Sequence, residues 1–166
     1  MPVATTGPIG ERIAVEIYTR LLKLLGGSST RARFNEVHRP KRLESITPKH
    51  MQIILTQNEP VPVPELSLPG NPPATAWRHR FNVRVHTMPS EHDPQAGDTF
   101  SNYAAADIRK ALTVPASSWW QWDGLAINTE FEAIEGIDSD GTFDGFNLPM
   151  AVIYRTDEND PYTLRA

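Results

Sequence analysis

The sequence predicts an α+β domain: a mostly antiparallel sheet of about five strands with two helices packed on one face. Three observations carry that expectation. An apolar stripe at three- and four-residue spacing opens the chain, strict two-residue alternation runs from Trp77 to Thr87, and hairpin-like spacing separates the later apolar runs. The 166 residues read as a single domain, 1–166, with a proline-rich loop or arm at about 58–76 and an extended C-terminal tail at about 157–166.

"GPIGERIAVEIYTRLLKLLGG" is the first predicted helix. Pro8 suits a first helical position because its missing amide costs no bond there. Ile9, Ile13, Ile17, Leu21 and Leu24 form one stripe, and Gly26-Gly27 ends it. "RARFNEVHRP" reads as a short strand stopped by Pro40. "HMQIILTQ" reads as a strand covered on both faces, because Ile53, Ile54 and Leu55 are continuous. Six prolines between Pro60 and Pro73 stiffen the backbone and remove amide donors, so this stretch is expected to be an arm rather than a packed element. Trp77 opens the third strand, with Trp77, His79, Phe81, Val83 and Val85 on one face and Arg78, Arg80, Asn82, Arg84 and His86 on the other. "SNYAAADIRKAL" is the second helix, capped by Ser101, with Ala104, Ile108, Ala111 and Leu112 turned inward. "LAINTEFEAIEGI" is an acidic strand with Ile127, Thr129, Phe131 and Ala133 on one face and Glu130 and Glu132 on the other. "DSDGTFDG" is a turn cluster, and "FNLPMAVIYRT" is the last strand.

Cysteine is absent, which excludes disulfides, thiolate metal sites and a cysteine nucleophile, and fits folding in a reducing cytoplasm. No apolar run reaches membrane-spanning length, and no basic-then-apolar leader is visible, so a soluble, non-secreted chain is expected. The net charge of −4 hides an asymmetry: +5 over residues 1–50, −2 over 51–100 and −7 over 101–166. A basic front and an acidic back can pair within one molecule or between neighbours in a head-to-tail ring.

No catalytic motif emerges. The five histidines fall in no metal-binding spacing; His79 shares an apolar face and reads as a satisfied core residue, while His86 reads as solvated. Asp138, Asp140 and Asp144 invite a calcium reading, but the twelfth position of such a loop is Pro149 where a closing glutamate is needed, and Asp-Gly is itself a hairpin signal. Trp119, Trp120 and Trp122 beside an arginine strand raise single-stranded nucleic-acid binding, against which stands the surrounding acidic excess. Core and interface roles fit these tryptophans better. No cofactor and no enzymatic activity is expected.

Three features together span most of the chain: the amphipathic first helix leading into "VHRPKRLESITPKHMQIIL", then "RFNVRVHT" followed by "NYAAADIRKAL", and the ending "AIEGIDSDGTFDGFNLPMAVIYRTDENDPYT". In this pattern the chain resembles the tail terminator proteins of long-tailed, siphovirus-like phages. That resemblance implies a structural virion protein of the tail–neck region, made in the host cytoplasm. It implies a homo-oligomeric, six-fold ring that meets the tail tube protein on one side and a neck or head-completion protein on the other, with DNA passing through unread. It brings no catalytic residues. A head-completion, head–tail joining or tail tube protein is the alternative; a nucleic-acid-binding module and a small metal-dependent hydrolase using the aspartates follow. The residues expected at a subunit interface or channel wall are Arg78, Arg80, Arg84, Trp119, Trp120, Trp122, Glu130, Glu132, Asp138, Asp140 and Arg155. The arginines and glutamates have three open readings: contact between subunits, cross-strand pairing within one sheet, or channel lining, for which the acidic strand suits passing DNA better.

Overall fold

A computed structural model describes residues 7–26, 34–40, 47, 51–87, 94–137 and 144–165, without the side chains of 94–100 and 144. Helix α1 spans Ile9–Leu22 and is followed by β1 (Glu36–His38), β2 (Gln52–Gln57), β3 (Val61–Pro62) and β4 (Ala74–Thr87). Then come α2 (Pro94–Leu112), β5 (Asn128–Phe131), β6 (Glu135–Gly136), β7 (Asp144–Asp157) and β8 (Asp160–Leu164), with short 3-10 turns at Pro64–Leu66 and Trp119–Gln121.

All eight strands join one sheet, which corrects the expected sheet of about five: this is a mixed α/β protein. The reason lies in its centre. Strands β4 and β7, 14 residues each, pair antiparallel along their whole length. Their outer edges are each longer than any one neighbour, so each is covered by a relay. β2 and then β3 run along β4; β8, β5 and β6 run along β7. Strands of two to five residues leave too little alternation to be seen in a sequence. β1 adds a parallel pairing, to β2.

The sheet sorts its side chains by pleat. On one face Ile53, Leu55, Phe81, Val83, Val85, Leu148, Met150 and Val152 form a continuous core with Ile9, Ile13, Ile17 and Leu21 of α1 and Ala104, Ile108 and Leu112 of α2. The other face carries Thr56, Arg78, Arg80, Asn82, Arg84, Asn147 and Glu130, and no described helix lies over it.

Pro149 explains where β5 stops. Glu132 donates its amide to the Pro149 carbonyl at 2.9 Å, so the Pro149 nitrogen also points toward this edge. That nitrogen has no hydrogen to return, so the ladder cannot continue. β5 therefore ends at Phe131, and β6 resumes only at Asn147.

Three expected boundaries shift. α2 begins at Pro94, seven residues before the expected Ser101 cap, with proline in its first turn. The proline-rich stretch lies along the β4 edge, through β3 and a Leu68–Ala74 bridge, with Ser67 Oγ accepting the Ala76 amide at 3.0 Å. Its prolines sit on a sheet margin, where a missing donor is tolerated. The C-terminal stretch returns as β8 against the end of β7.

Candidate functional site

The helix-free face of the sheet gathers most of the residues singled out from the sequence. At one rung Arg80 of β4, Ala151 of β7 and Glu130 of β5 stand in register; at another, Arg84, Asn147 and Glu135 do. β4 and β5 are two strand spacings apart, roughly 10 Å. Arginine is long enough to cross that gap where the intervening residue is small. Arg78 reaches Glu130 at 3.4 Å and Glu132 at 3.7 Å, and Arg80 reaches Glu132 at 2.7 Å and Glu135 at 3.9 Å. Ala151 lies beneath this bridge and is fully buried although no helix covers it. The arginine and acidic rows thus pair within one chain. Each such half-exposed pair contributes about 0.2–1 kcal/mol, so the ladder fixes the face's charge pattern more than it stabilises the fold.

Beside the ladder a polar depression of about 300 Å³ is bounded by Thr56, Arg80, Asn82, Arg84, Glu135 and Asn147. Glu135 was not singled out from the sequence, because Ala133 and Ile134 break the acidic alternation before it. At the end of the row His86 is buried rather than solvated. Its Nε2 accepts from Arg84 Nε at 3.2 Å, which leaves Nδ1 as the donor to Gln52 Oε1 at 3.1 Å. Burial, then the Arg84 charge, lowers its pKa, and this neutral tautomer is what the hydrogen bonds require.

The tryptophans are not on this face. Trp122 is fully buried in the helix-side core, donates its indole N–H to Thr129 Oγ1 at 2.7 Å and lies under the Arg20 guanidinium at 4.4 Å. Its backbone is left-handed, at φ 46°, a strained geometry for an aromatic residue that these contacts hold in place. Trp119 stacks on Phe131 at 5.2 Å and meets Trp120 edge-on at 6.2 Å. The expected juxtaposition of these tryptophans with the arginine strand is absent among the described residues: they sit on the helix side with Arg20, and Arg78, Arg80 and Arg84 point to the other. Arg155 holds the proline-rich segment, donating from Nε to the Leu66 carbonyl at 2.8 Å. Asp138 and Asp140 lie outside the described residues.

A second concave region opens on the helix side, at the N-terminus of α1. This cleft of about 320 Å³ is lined chiefly by Pro8, Gly10, Pro60, Trp77, Tyr154 and Pro161. At its rim Arg39 holds Glu11 through two hydrogen bonds of 2.8 and 2.6 Å, which lowers the Glu11 pKa. Trp77 is oriented by its indole bond to Thr156 Oγ1, 2.9 Å. Tyr154 is 4% exposed, and its hydroxyl has no hydrogen-bond partner among the described residues. Burial raises its pKa to about 12, so it remains a donor. Behind it His79, 3% exposed, makes no well-formed hydrogen bond at either ring nitrogen among the described residues and is met only loosely by the Asn58 main chain, short of the satisfied core histidine expected. Burial brings its pKa down to about 4, against an opposing effect of the Asn58 main chain. Gly10 makes room for both: a Cβ there would stand 2.7 Å from the Tyr154 hydroxyl and 2.9 Å from His79 Nδ1.

Among the described residues no group of three His, Cys, Asp or Glu side chains is placed to hold a metal ion, and no helix is long and apolar enough to cross a membrane. No protein-family model matches the chain, and no curated protein matches it.

Proposed function

We propose that this chain is a structural ring subunit of a phage tail, a tail terminator that caps the tail tube and joins it to the head–neck complex. The resemblance in its segments motivates the reading. The observation that supports it is exposed charge on both sides of one sheet, of both signs on the helix-free side and basic near the helix ends. On the helix-free side Glu130 and Glu135 remain about half exposed even with Arg78 and Arg80 engaged. On the helix side Lys23, Arg109 and Lys110 are exposed near the C-terminal ends of α1 and α2. Lys23 and Lys110 line a cavity of about 190 Å³ there, with Arg20 and Asp107 at its wall.

Such a surface is not self-complementary. The helix side of one copy fits the sheet side of the next, and repeated head-to-tail contact of this kind closes a ring when the rotation per copy permits.

Charge reversal tests this directly. Replacing Lys23 and Lys110 by glutamate should abolish assembly, and the compensating Glu130→Lys and Glu135→Lys changes should restore it. Assembly indifferent to both sets would remove the head-to-tail reading. Growth into open filaments rather than discrete rings would favour a tail tube protein instead.

A further inference from the structure

We propose that the polar depression on the helix-free face is a binding site for a carboxylate, seated on Arg84. Arg78, Arg80 and Arg84 follow one another along β4, but among the described residues only the first two have carboxylate partners. Arg84 is half-buried, and its Nε donates to His86 Nε2 at 3.2 Å, which fixes the plane of the guanidinium. The N–H groups of its Nη1 and Nη2 have no acceptor among the described residues. The cause lies in the register. Between Arg80 and the acidic strand stands Ala151; between Arg84 and Glu135 stands Asn147, a longer side chain in the way. Glu135 leans instead to Arg80, at 3.9 Å.

The rest of the wall supplies donors. Thr56, Asn82 and Asn147 are half-buried beside Arg84, and their side chains have no hydrogen-bond partner among the described residues. Each can turn an O–H or N–H toward a bound anion. Arg80 Nε, in the same wall, is buried without an acceptor. Half-buried donors left open together call for an acceptor, and a volume of about 300 Å³ admits a carboxylate with the first carbons that carry it. A guanidinium offered through both terminal nitrogens pairs in two parallel bonds with the two oxygens of a carboxylate. One uncompensated cation beside Glu135 suits a single negative charge; a dianionic phosphate would leave its second charge facing that glutamate. A nucleic-acid strand would lay further phosphates over Glu130 and Glu132. The same recognition serves a small free carboxylate and an acidic side chain of a polypeptide.

The experiment titrates acetate and, separately, a glutamate blocked at both ends (N-acetylglutamate α-amide) into the full chain at constant ionic strength. NMR of the Arg84 Nε–H and of the Asn82 and Asn147 side-chain amides reads binding. Saturable shifts are expected on the order of millimolar ligand. Arg84→Gln, read at the asparagine amides, should weaken binding about tenfold or more, as loss of a charge-assisted hydrogen bond does. Arg84→Lys should recover only part, because it keeps the charge and loses the fork. Glu135→Gln leaves the Arg84–His86 contact alone and should tighten binding, since it removes a like charge from the rim. Acetate bound at least as tightly as the blocked glutamate makes the carboxylate group sufficient; tighter binding of the blocked glutamate assigns the site to a polypeptide side chain. Both outcomes uphold it. No saturation by either ligand, unchanged binding in Arg84→Gln, or weaker binding in Glu135→Gln would each overturn it. So would tighter binding of inorganic phosphate or of a single-stranded oligonucleotide than of either carboxylate.

Discussion

Replacing Gly10 by alanine should destabilise the protein although the position is helical. Alanine favours helix over glycine by about 1 kcal/mol, so propensity alone predicts a gain. Packing opposes it. The added methyl would lie 2.7 Å from the Tyr154 hydroxyl and 2.9 Å from His79 Nδ1, both belonging to side chains buried under α1. Tyr154 borders the open cleft, but His79 is enclosed in the core, and overpacking of this kind costs about 1–3 kcal/mol. The first turn of a helix realises only part of the propensity gain, so the net loss is about 1–2 kcal/mol. For a domain of this size that lowers Tm by roughly 2–8 °C. Tyr154→Phe removes the nearer atom, and alone it should be close to neutral, because that hydroxyl opens on the cleft and has no described protein partner to lose. Thermal unfolding of the dilute single and double variants reads the coupling. The double variant should recover at least half of the Gly10→Ala loss. A higher Tm for Gly10→Ala, or strict additivity, would refute the packing argument.

The remaining expectations concern the core and the ladder. His79 has its folded pKa lowered to about 4, so between there and the ordinary value near 6.5 the unfolded chain binds the extra proton. Stability should thus fall as pH drops through that window, by about 3 kcal/mol from this group. Urea unfolding at several pH values should show a shallower slope in His79→Leu, and an unchanged slope would contradict the assignment. At Gly145 a Cβ would collide with the Val85 backbone carbonyl, so Gly145→Ala should unfold the β4–β7 seam and cost several kcal/mol; a folded variant of normal Tm would be inconsistent with this register. Arg80→Ala should cost less than about 1 kcal/mol, and a cycle with Glu132→Ala should give a coupling of similar size that shrinks in salt.

Much of the frame was legible where one residue decided it. Strict alternation from Trp77 to His86 assigned each β4 side chain to its observed face, and the α1 stripe is the stripe that is buried. The short strands were not legible, because two residues such as Val61-Pro62 or Glu135-Gly136 have no period; they are strands only because β4 and β7 outrun their neighbours. The start of α2 at Pro94 escapes the apolar pattern, which begins only near Ala104, although proline suits the first turn of a helix as well as it ends one. The charges on β4 and β5 were visible, but their direct pairing depends on Ala151 between them, a residue with no charge pattern to notice. The helix-side cleft was missed altogether. His79, Tyr154 and Gly10 are far apart in the chain and meet only when α1 crosses β4 and β7.

The most direct test of the proposed ring is the native mass of the purified chain, alone and mixed with a candidate tail tube protein. A closed head-to-tail assembly predicts one discrete species, at six times the 18.6 kDa chain mass for six-fold symmetry. A chain that stays monomeric in both conditions, or a ladder of masses without an upper limit, would contradict it.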